Sequence, residues 1–192
     1  MKYLMLLMLT LVSCTKQINN KDKLQETAVE EIVDCGYAPG EHACNFTLFN
    51  HKNEDINLYD YKGKTILLDF STTWCYYCNV AAMSEVELVN LYKDSGFEWI
   101  TVLVENKKAK QPSCNDLKAW IEKYSIESPV LSGKKSELLD MKDDGVDMGY
   151  RCGGYPTFVI IDKDMNIVEY IFGWNKDMVK EKIEDVINEE AI

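Results

Sequence analysis

Cys75 and Cys78, two residues apart, stand where an apolar run gives way to a helical pattern, and this juncture restricts the fold of the chain. Before it, Thr65-Ile66-Leu67-Leu68-Asp69-Phe70 reads as a buried strand. After it, Ala82, Val86, Val89 and Tyr92 mark one face of a helix that stops near Gly96. A strand that delivers a Cys-x-x-Cys to the first turn of a helix sets the sulfurs beside unpaired N–H groups, at the positive end of the helix dipole. That environment favours a thiolate. The spacing suits a first thiol that attacks and a second that resolves the resulting mixed disulfide. Half of a zinc site is the other reading of the pair. It is disfavoured because there is no second Cys-x-x-Cys and both histidines, His42 and His51, lie upstream.

The remaining pattern alternates. Short strands are expected over 46–49 and 56–58, around the turn-forming segment 50–55. Residues 97–104 read as a second buried strand, nearly continuous in apolar character as parallel central strands are. Ser113 with Asp116 three residues later opens a helix whose apolar face is Leu117, Trp120, Ile121 and Tyr124. A short strand at 129–131, a short helix at 136–141 and a hairpin of 157–161 with 166–172 follow. Asn175 caps a last helix that turns Val179, Ile183, Val186 and Ile187 inward. The sum is an α/β domain: a mixed central sheet with helices on both faces and an N-terminal β-hairpin extension. With 192 residues, 46% apolar and 28% charged, the chain suits one globular domain plus extensions. A net charge of −11, with Arg151 as its one arginine, excludes a binder of phosphate backbones.

The N-terminus carries an address. Met1-Lys2-Tyr3 is a short positive start, and residues 4–12 are apolar except for Thr10. That run is far below the ~20 residues needed to span a bilayer, so it reads as the core of a secretory signal. Leu11-Val12-Ser13-Cys14 resembles a bacterial lipobox, with cleavage before Cys14 and lipidation of its sulfur; an uncleaved anchor or a plain signal peptide is the alternative. The expected organisation is a leader over 1–13, a tether with a short helix (Leu24, Ala28, Ile32) over 14–34, and a domain over 35–192. Such a protein is held to a bacterial membrane by lipid and works outside the reducing cytosol. Thr15 after the lipidated position, with no aspartate there, resembles outer-membrane sorting under one bacterial convention.

Two segments carry a family resemblance. The run Leu67-Leu68-Asp69-Phe70-Ser71-Thr72-Thr73-Trp74-Cys75-Tyr76-Tyr77-Cys78 resembles the thioredoxin active-site strand and motif, and Gly154-Tyr155-Pro156-Thr157-Phe158 resembles the loop that holds that fold's cis-proline. With the upstream hairpin, Tyr61-Lys62-Gly63-Lys64 and the lipobox, the chain from about residue 45 onward is most similar to the TlpA/ResA-like branch of membrane-attached thiol–disulfide oxidoreductases. The resemblance implies Cys75 as nucleophile, Cys78 as resolving thiol and Asp69 as the buried acid that takes the Cys78 proton. It further implies that Pro156 follows a cis bond against the sulfurs, and that the Tyr155 backbone offers ladder hydrogen bonds to an extended substrate segment. Trp74, Tyr76 and Tyr77 then face the substrate. The implied partners are protein thiols and disulfides with an unidentified redox partner, and no cofactor is implied. The sequence departs from the branch at three places. Tyr76-Tyr77 replaces the Gly-Pro or Glu-Pro of reducing members, Ala81 stands where many have a functional glutamate, and Met83 takes the place of a helix proline. The direction of electron flow stays open.

Seven cysteines cannot all pair. With Cys14 lipidated and Cys75 and Cys78 redox-active, Cys35, Cys44, Cys114 and Cys152 remain. Cys35 and Cys44 flank a turn-rich loop and are expected to close it; a metal cluster with His42 is the lesser reading. Cys114 and Cys152 are expected at the active-site end of the sheet as a second bridge, the alternative being that one relays electrons to Cys75. The absence of a histidine after His51 disfavours a copper chaperone of the Sco type. Two other functions compete with the oxidoreductase. One is a non-catalytic binding module. The other is a thiol peroxidase, suggested by Thr72-x-x-Cys75 but weakened by Leu68 where that motif needs proline.

Overall fold

The computed structural model describes residues 34–141 and 149–189. The leader, the tether up to residue 33, its expected short helix and Cys14 lie outside them. The first elements are the hairpin strands β1 (Thr47–Asn50) and β2 (Asp55–Asn57). Their turn is organised by Asn50, whose Oδ1 accepts from the backbone N–H groups of Lys52 and Glu54. A 3-10 turn at Leu58–Tyr61 leads to β3 (Thr65–Thr72), in which every residue is buried. There follow α1 (Tyr76–Tyr92), β4 (Phe97–Glu105), α2 (Cys114–Tyr124), β5 (Val130–Ser132) and the short α3 (Lys135–Leu138). Next come the two-residue strands β6 (Leu139–Asp140) and β7 (Tyr150–Arg151), the hairpin β8 (Thr157–Ile161) and β9 (Ile167–Phe172), and α4 (Lys176–Glu189).

The main sheet has seven strands in the order β2-β1-β5-β4-β3-β8-β9. β3, β4 and β5 run parallel, and β8 returns antiparallel against β3. Right-handed crossovers decide which face each connection covers. The steps β3–α1–β4 and β4–α2–β5 move the same way along the sheet and so lay α1 and α2 on one face. The connection from β5 to the antiparallel β8 puts α3, β6 and β7 on the other, where Leu138, Leu139 and Tyr150 join the core.

Strand alternation fills both sides. Leu67, Trp99 and Phe158 pack with Leu88 of α1 and Val179 and Ile183 of α4. Leu68, Phe70, Val102 and Val159 pack on the opposite face with Tyr150 and Cys152. Ser113 and Asp116 form the expected capping box, and the backbone N–H of Met178 donates to the Asn175 side chain at the start of α4. Gly96 ends the α1 connection with φ of 77°, a left-handed conformation that favours glycine.

Three expectations change. The buried face of α1 is Cys78, Ala81, Ala82, Glu85, Leu88 and Tyr92, whereas Val86 and Val89 are only partly covered. The helix expected over 136–141 is shorter, because Leu139 and Asp140 leave it to pair with β7. The bridge expected between Cys114 and Cys152 is not formed, since Cys152 is a free thiol. The sheet explains why. Cys114 opens α2 on the α1 side, with its sulfur 3.8 Å from the Asn50 carbonyl oxygen, while Cys152 belongs to the core of the opposite face.

Cys35 and Cys44 are joined by a disulfide across a separation of nine residues. The enclosed loop is also pinned to the sheet, for Gly40 and Ala43 donate to the backbone oxygens of Ile167 and Met165. Opening so short a covalent loop restores chain entropy to the unfolded state worth about 2–3 kcal/mol. The Cys35→Ser/Cys44→Ser variant is expected to lose about that much stability in urea denaturation.

Candidate active site

β3 ends and α1 begins within four residues, and the dithiol occupies that seam. Cys75 is the N-cap of α1, in extended conformation, and its sulfur accepts the backbone N–H of Cys78 at 3.2 Å. From the other side, the Cys75 thiol donates to the carbonyl oxygen of Tyr155 at 3.3 Å. That contact joins positions 80 apart in sequence and sets the loop before β8 over the sulfur. The Tyr155–Pro156 peptide bond is cis, and Pro156 is buried. Cys75 and Cys78 are both thiols. The first is 7% exposed and the second 0%, so even the thiol expected to attack is almost covered.

Asp69 lies beneath Cys78 in the middle of β3, 1% exposed, with Ser71 Oγ donating to its Oδ1 at 2.6 Å. Burial raises its pKa to about 7, although Ser71 and the nearby Trp99 indole act in the opposite sense. Burial also raises the Cys78 thiol well above its ordinary value, and the Asp69 charge raises it further. Each group therefore opposes ionisation of the other. A proton leaving Cys78 is accommodated when Asp69 takes it.

The rim is aromatic and exposed. Tyr76 is 74% and Tyr77 58% exposed, their rings 5.3 Å apart edge to face. Trp74 sets its ring edge-on to Tyr155 at 6.1 Å and donates its indole N–H to Glu105 at 3.0 Å. Beside the dithiol, between the start of α1 and α2, runs a groove of about 670 Å³ whose walls include Thr73, Asn79, Lys107, Lys110 and Lys123. Thus Cys75, Cys78, Asp69, Trp74, Tyr155 and Pro156 converge, with Tyr76 and Tyr77 outermost. Cys35, Cys44 and His42 lie elsewhere, and the thiolates a metal would need there are consumed by the Cys35–Cys44 bond. His42 instead meets the Tyr59 hydroxyl at 3.1 Å.

Cys152 stands close to the cis-proline loop without joining the dithiol. Its thiol donates to the Gly154 carbonyl oxygen at 3.3 Å, and burial raises its pKa. The Thr72-x-x-Cys75 spacing brings no hydroxyl to the sulfur. The Thr72 hydroxyl is buried without a hydrogen-bond partner and does not reach Cys75, and Leu68 is a fully buried ladder residue.

Sequence reasoning missed two side chains. Asn79 donates to the Cys75 carbonyl oxygen at 2.5 Å and accepts from Lys123 and Tyr124, tying the first turn of α1 to α2. Glu85, 0% exposed, faces the sheet from α1. The helical period counted from Cys78 would have located Glu85; reading the face from its valines turned it outward.

The sequence profile of the AhpC/TSA family matches residues 39–170. Thiol-disulfide oxidoreductase ResA of Bacillus cereus is 30% identical over 145 residues, covering 76% of this chain and 74% of its own. Among solved structures, the exposed lipoprotein thioredoxin Etrx1 of Streptococcus pneumoniae aligns with a TM-score of 0.52 and 26% identity, over 74% of this chain and 99% of its own. A putative thiol:disulfide interchange protein DsbE of Chlorobium tepidum shares the fold with a TM-score of 0.60 and 23% identity, over 78% of this chain and 95% of its own.

The buried carboxyl leaves a signature in stability. With a folded-state pKa of about 7 against an ordinary value of 3.8, Asp69 binds its proton more tightly in the folded chain. Its contribution is therefore full below pH 3.8 and is lost as pH rises toward 7. Asp69→Asn is expected to be more stable than the wild type at pH 8 by about 2–4 kcal/mol, a gain that shrinks toward pH 4. Urea midpoints measured across that range check the slope.

Proposed function

The chain belongs to the AhpC/TSA family as a thioredoxin-like thiol–disulfide oxidoreductase of the ResA type, and on that premise we propose that it exchanges electrons with protein disulfides through Cys75 and Cys78 while tethered by lipid at Cys14 to the extracytoplasmic face of a bacterial membrane. The observation that carries the catalytic reading is the placement of Cys75, held between the Cys78 N–H and the Tyr155 carbonyl, above a second thiol stacked on a buried carboxyl.

In the reducing direction, the Cys75 thiolate attacks one sulfur of the substrate disulfide. A Cys75–substrate bond forms, the substrate S–S bond breaks, and the other substrate sulfur leaves as a thiolate that takes up a proton. Cys78 then passes its proton to the Asp69 carboxylate and attacks the Cys75 sulfur. The Cys75–Cys78 disulfide forms, the second substrate thiolate departs and takes up the proton, and two electrons have moved from the dithiol to the substrate. The same steps run backward oxidise a substrate dithiol. Tyr155 and Pro156 position an extended substrate segment along the dithiol, and Trp74, Tyr76 and Tyr77 supply the apolar contact surface for it. A leader with a lipobox-like end supports the tether, and a relative described as an exposed lipoprotein is consistent with it.

Two measurements test this reading. In an insulin-reduction assay with a dithiol donor, Cys75→Ser is expected to abolish turnover. Cys78→Ser is expected to accumulate a substrate-linked mixed disulfide visible on a non-reducing gel. Wild-type turnover that Cys75→Ser leaves unchanged would overturn the assignment. The tether is tested separately by metabolic labelling with a fatty-acid analogue, which the wild type is expected to incorporate and Cys14→Ser to lose.

A further inference from the structure

Glu85 is an anomaly of burial. It sits mid-helix on the face of α1 that packs against the sheet, has no exposed surface, and has the hydroxyls of Thr101 and Ser128 as its hydrogen-bonding neighbours. Its Oε2 accepts the Thr101 hydroxyl at 3.3 Å, and Thr101 is the direct ladder neighbour of Asp69 on β4. Asp69 and Thr101 point to the same side of the sheet, toward α1. Glu85 is two helical turns, about 10 Å of rise, beyond Cys78, with only the small, buried Ala81 and Ala82 between them on that face. The Trp99 indole N–H is buried beside Asp69 and favours its charged form. Leucine at position 85 would complete the apolar face without the desolvation cost of a buried carboxyl. The carboxyl therefore calls for an explanation other than packing.

We propose that Glu85 is a positioning residue of the redox site: it forms one buried two-carboxyl unit with Asp69 and governs the protonation state that Asp69 presents to Cys78. This deepens the oxidoreductase reading and rests on it. The unit is enclosed from every side. β3 contributes Asp69 and the Ser71 hydroxyl, and α1 contributes Glu85 and Cys78. β4 contributes Thr101, the Trp99 indole and, farther out, Glu98, which pairs with Lys64 at 2.6 Å; Ser128 approaches from the segment before β5.

Burial raises the Glu85 pKa well above its ordinary value and the Asp69 charge raises it further, so two full negative charges are not held together at neutral pH. Glu85 keeps its proton while Asp69 ionises. When Asp69 takes the Cys78 proton, the repulsion opposing Glu85 ionisation falls. The two carboxyls thus titrate as a pair.

The test is a ¹³C NMR titration of the side-chain carboxyl carbons in the reduced full chain, with Glu85→Gln as the probe. Glutamine is isosteric and keeps an oxygen for the Thr101 hydroxyl. In the wild type, the Asp69 carbon is expected to report two steps, the upper one shared with Glu85. In Glu85→Gln that upper step is expected to vanish, leaving a single Asp69 transition displaced from the wild-type upper step by about one pH unit or more. The pH profile of the Cys78 resolution rate is expected to lose the same inflection, which a merely structural role would not produce. If Glu85→Gln fails to fold, Asp69→Asn supplies the reciprocal measurement, in which Glu85 is expected to titrate in one step at lower pH than in the wild type. An Asp69 profile unchanged by Glu85→Gln, or a Glu85 profile unchanged by Asp69→Asn, overturns the proposal. A wild type that titrates as expected but reduces no disulfide would sink the oxidoreductase reading and leave the carboxyl pair standing.

Discussion

A carboxyl group in the middle of a wholly buried strand is the constraint on which the rest of the site depends. Asp69 has parallel β4 on one side and antiparallel β8 on the other, so it cannot turn toward solvent without breaking the sheet. Its charge must be managed locally, by Ser71 and by neighbours able to exchange a proton with it. The same strand ends at the dithiol, and the same ladder fixes β8, whose preceding loop carries Tyr155 and Pro156 to Cys75. The buried carboxyl, the thiols and the cis-proline loop are therefore held by one set of backbone hydrogen bonds. Precision of this kind comes from rigid elements rather than from loops.

Local signals carried most of this into the sequence. The strand 65–70, the capping box at Ser113 and the Asn175 cap are short-range patterns with direct physical causes, and they stand where the pattern places them. The failures have causes too. β6 and β7 are two residues each, too short for any period to show. The Cys114–Cys152 bridge was inferred from nearness to one end of the sheet. Crossover handedness puts Cys114 at the start of α2 on one face, while the connection to antiparallel β8 puts Cys152 in the core of the other. Glu85 escaped because apolar periodicity assumes that a helix buries its apolar side chains, and here the buried face includes an acid.

The rim and the floor of the site follow opposite rules. The floor is polar, enclosed and short of partners, so that small changes in protonation matter there. The rim is aromatic and open, with Tyr76 and Tyr77 projecting edge to face. Trp74, anchored through Glu105, and Tyr155, with Lys135 5.7 Å from its ring, form the wall between the two regimes. Aromatic side chains thus stand open at the rim, while the carboxyl, thiol and hydroxyl groups of the floor are enclosed.

The position of Cys152 has a consequence for traffic. It is the one other free thiol among the described residues, and it lies in the core of the face that α1 does not cover, with the sheet between that core and Cys78. The sheet thus works as an insulating partition. A further thiol joins such an exchange by attacking a disulfide formed at Cys75 or Cys78, and Cys152 lies across the sheet from both. Cys78, on the same side as Cys75, is the thiol placed to answer a disulfide formed there, and Cys152 stands outside that exchange.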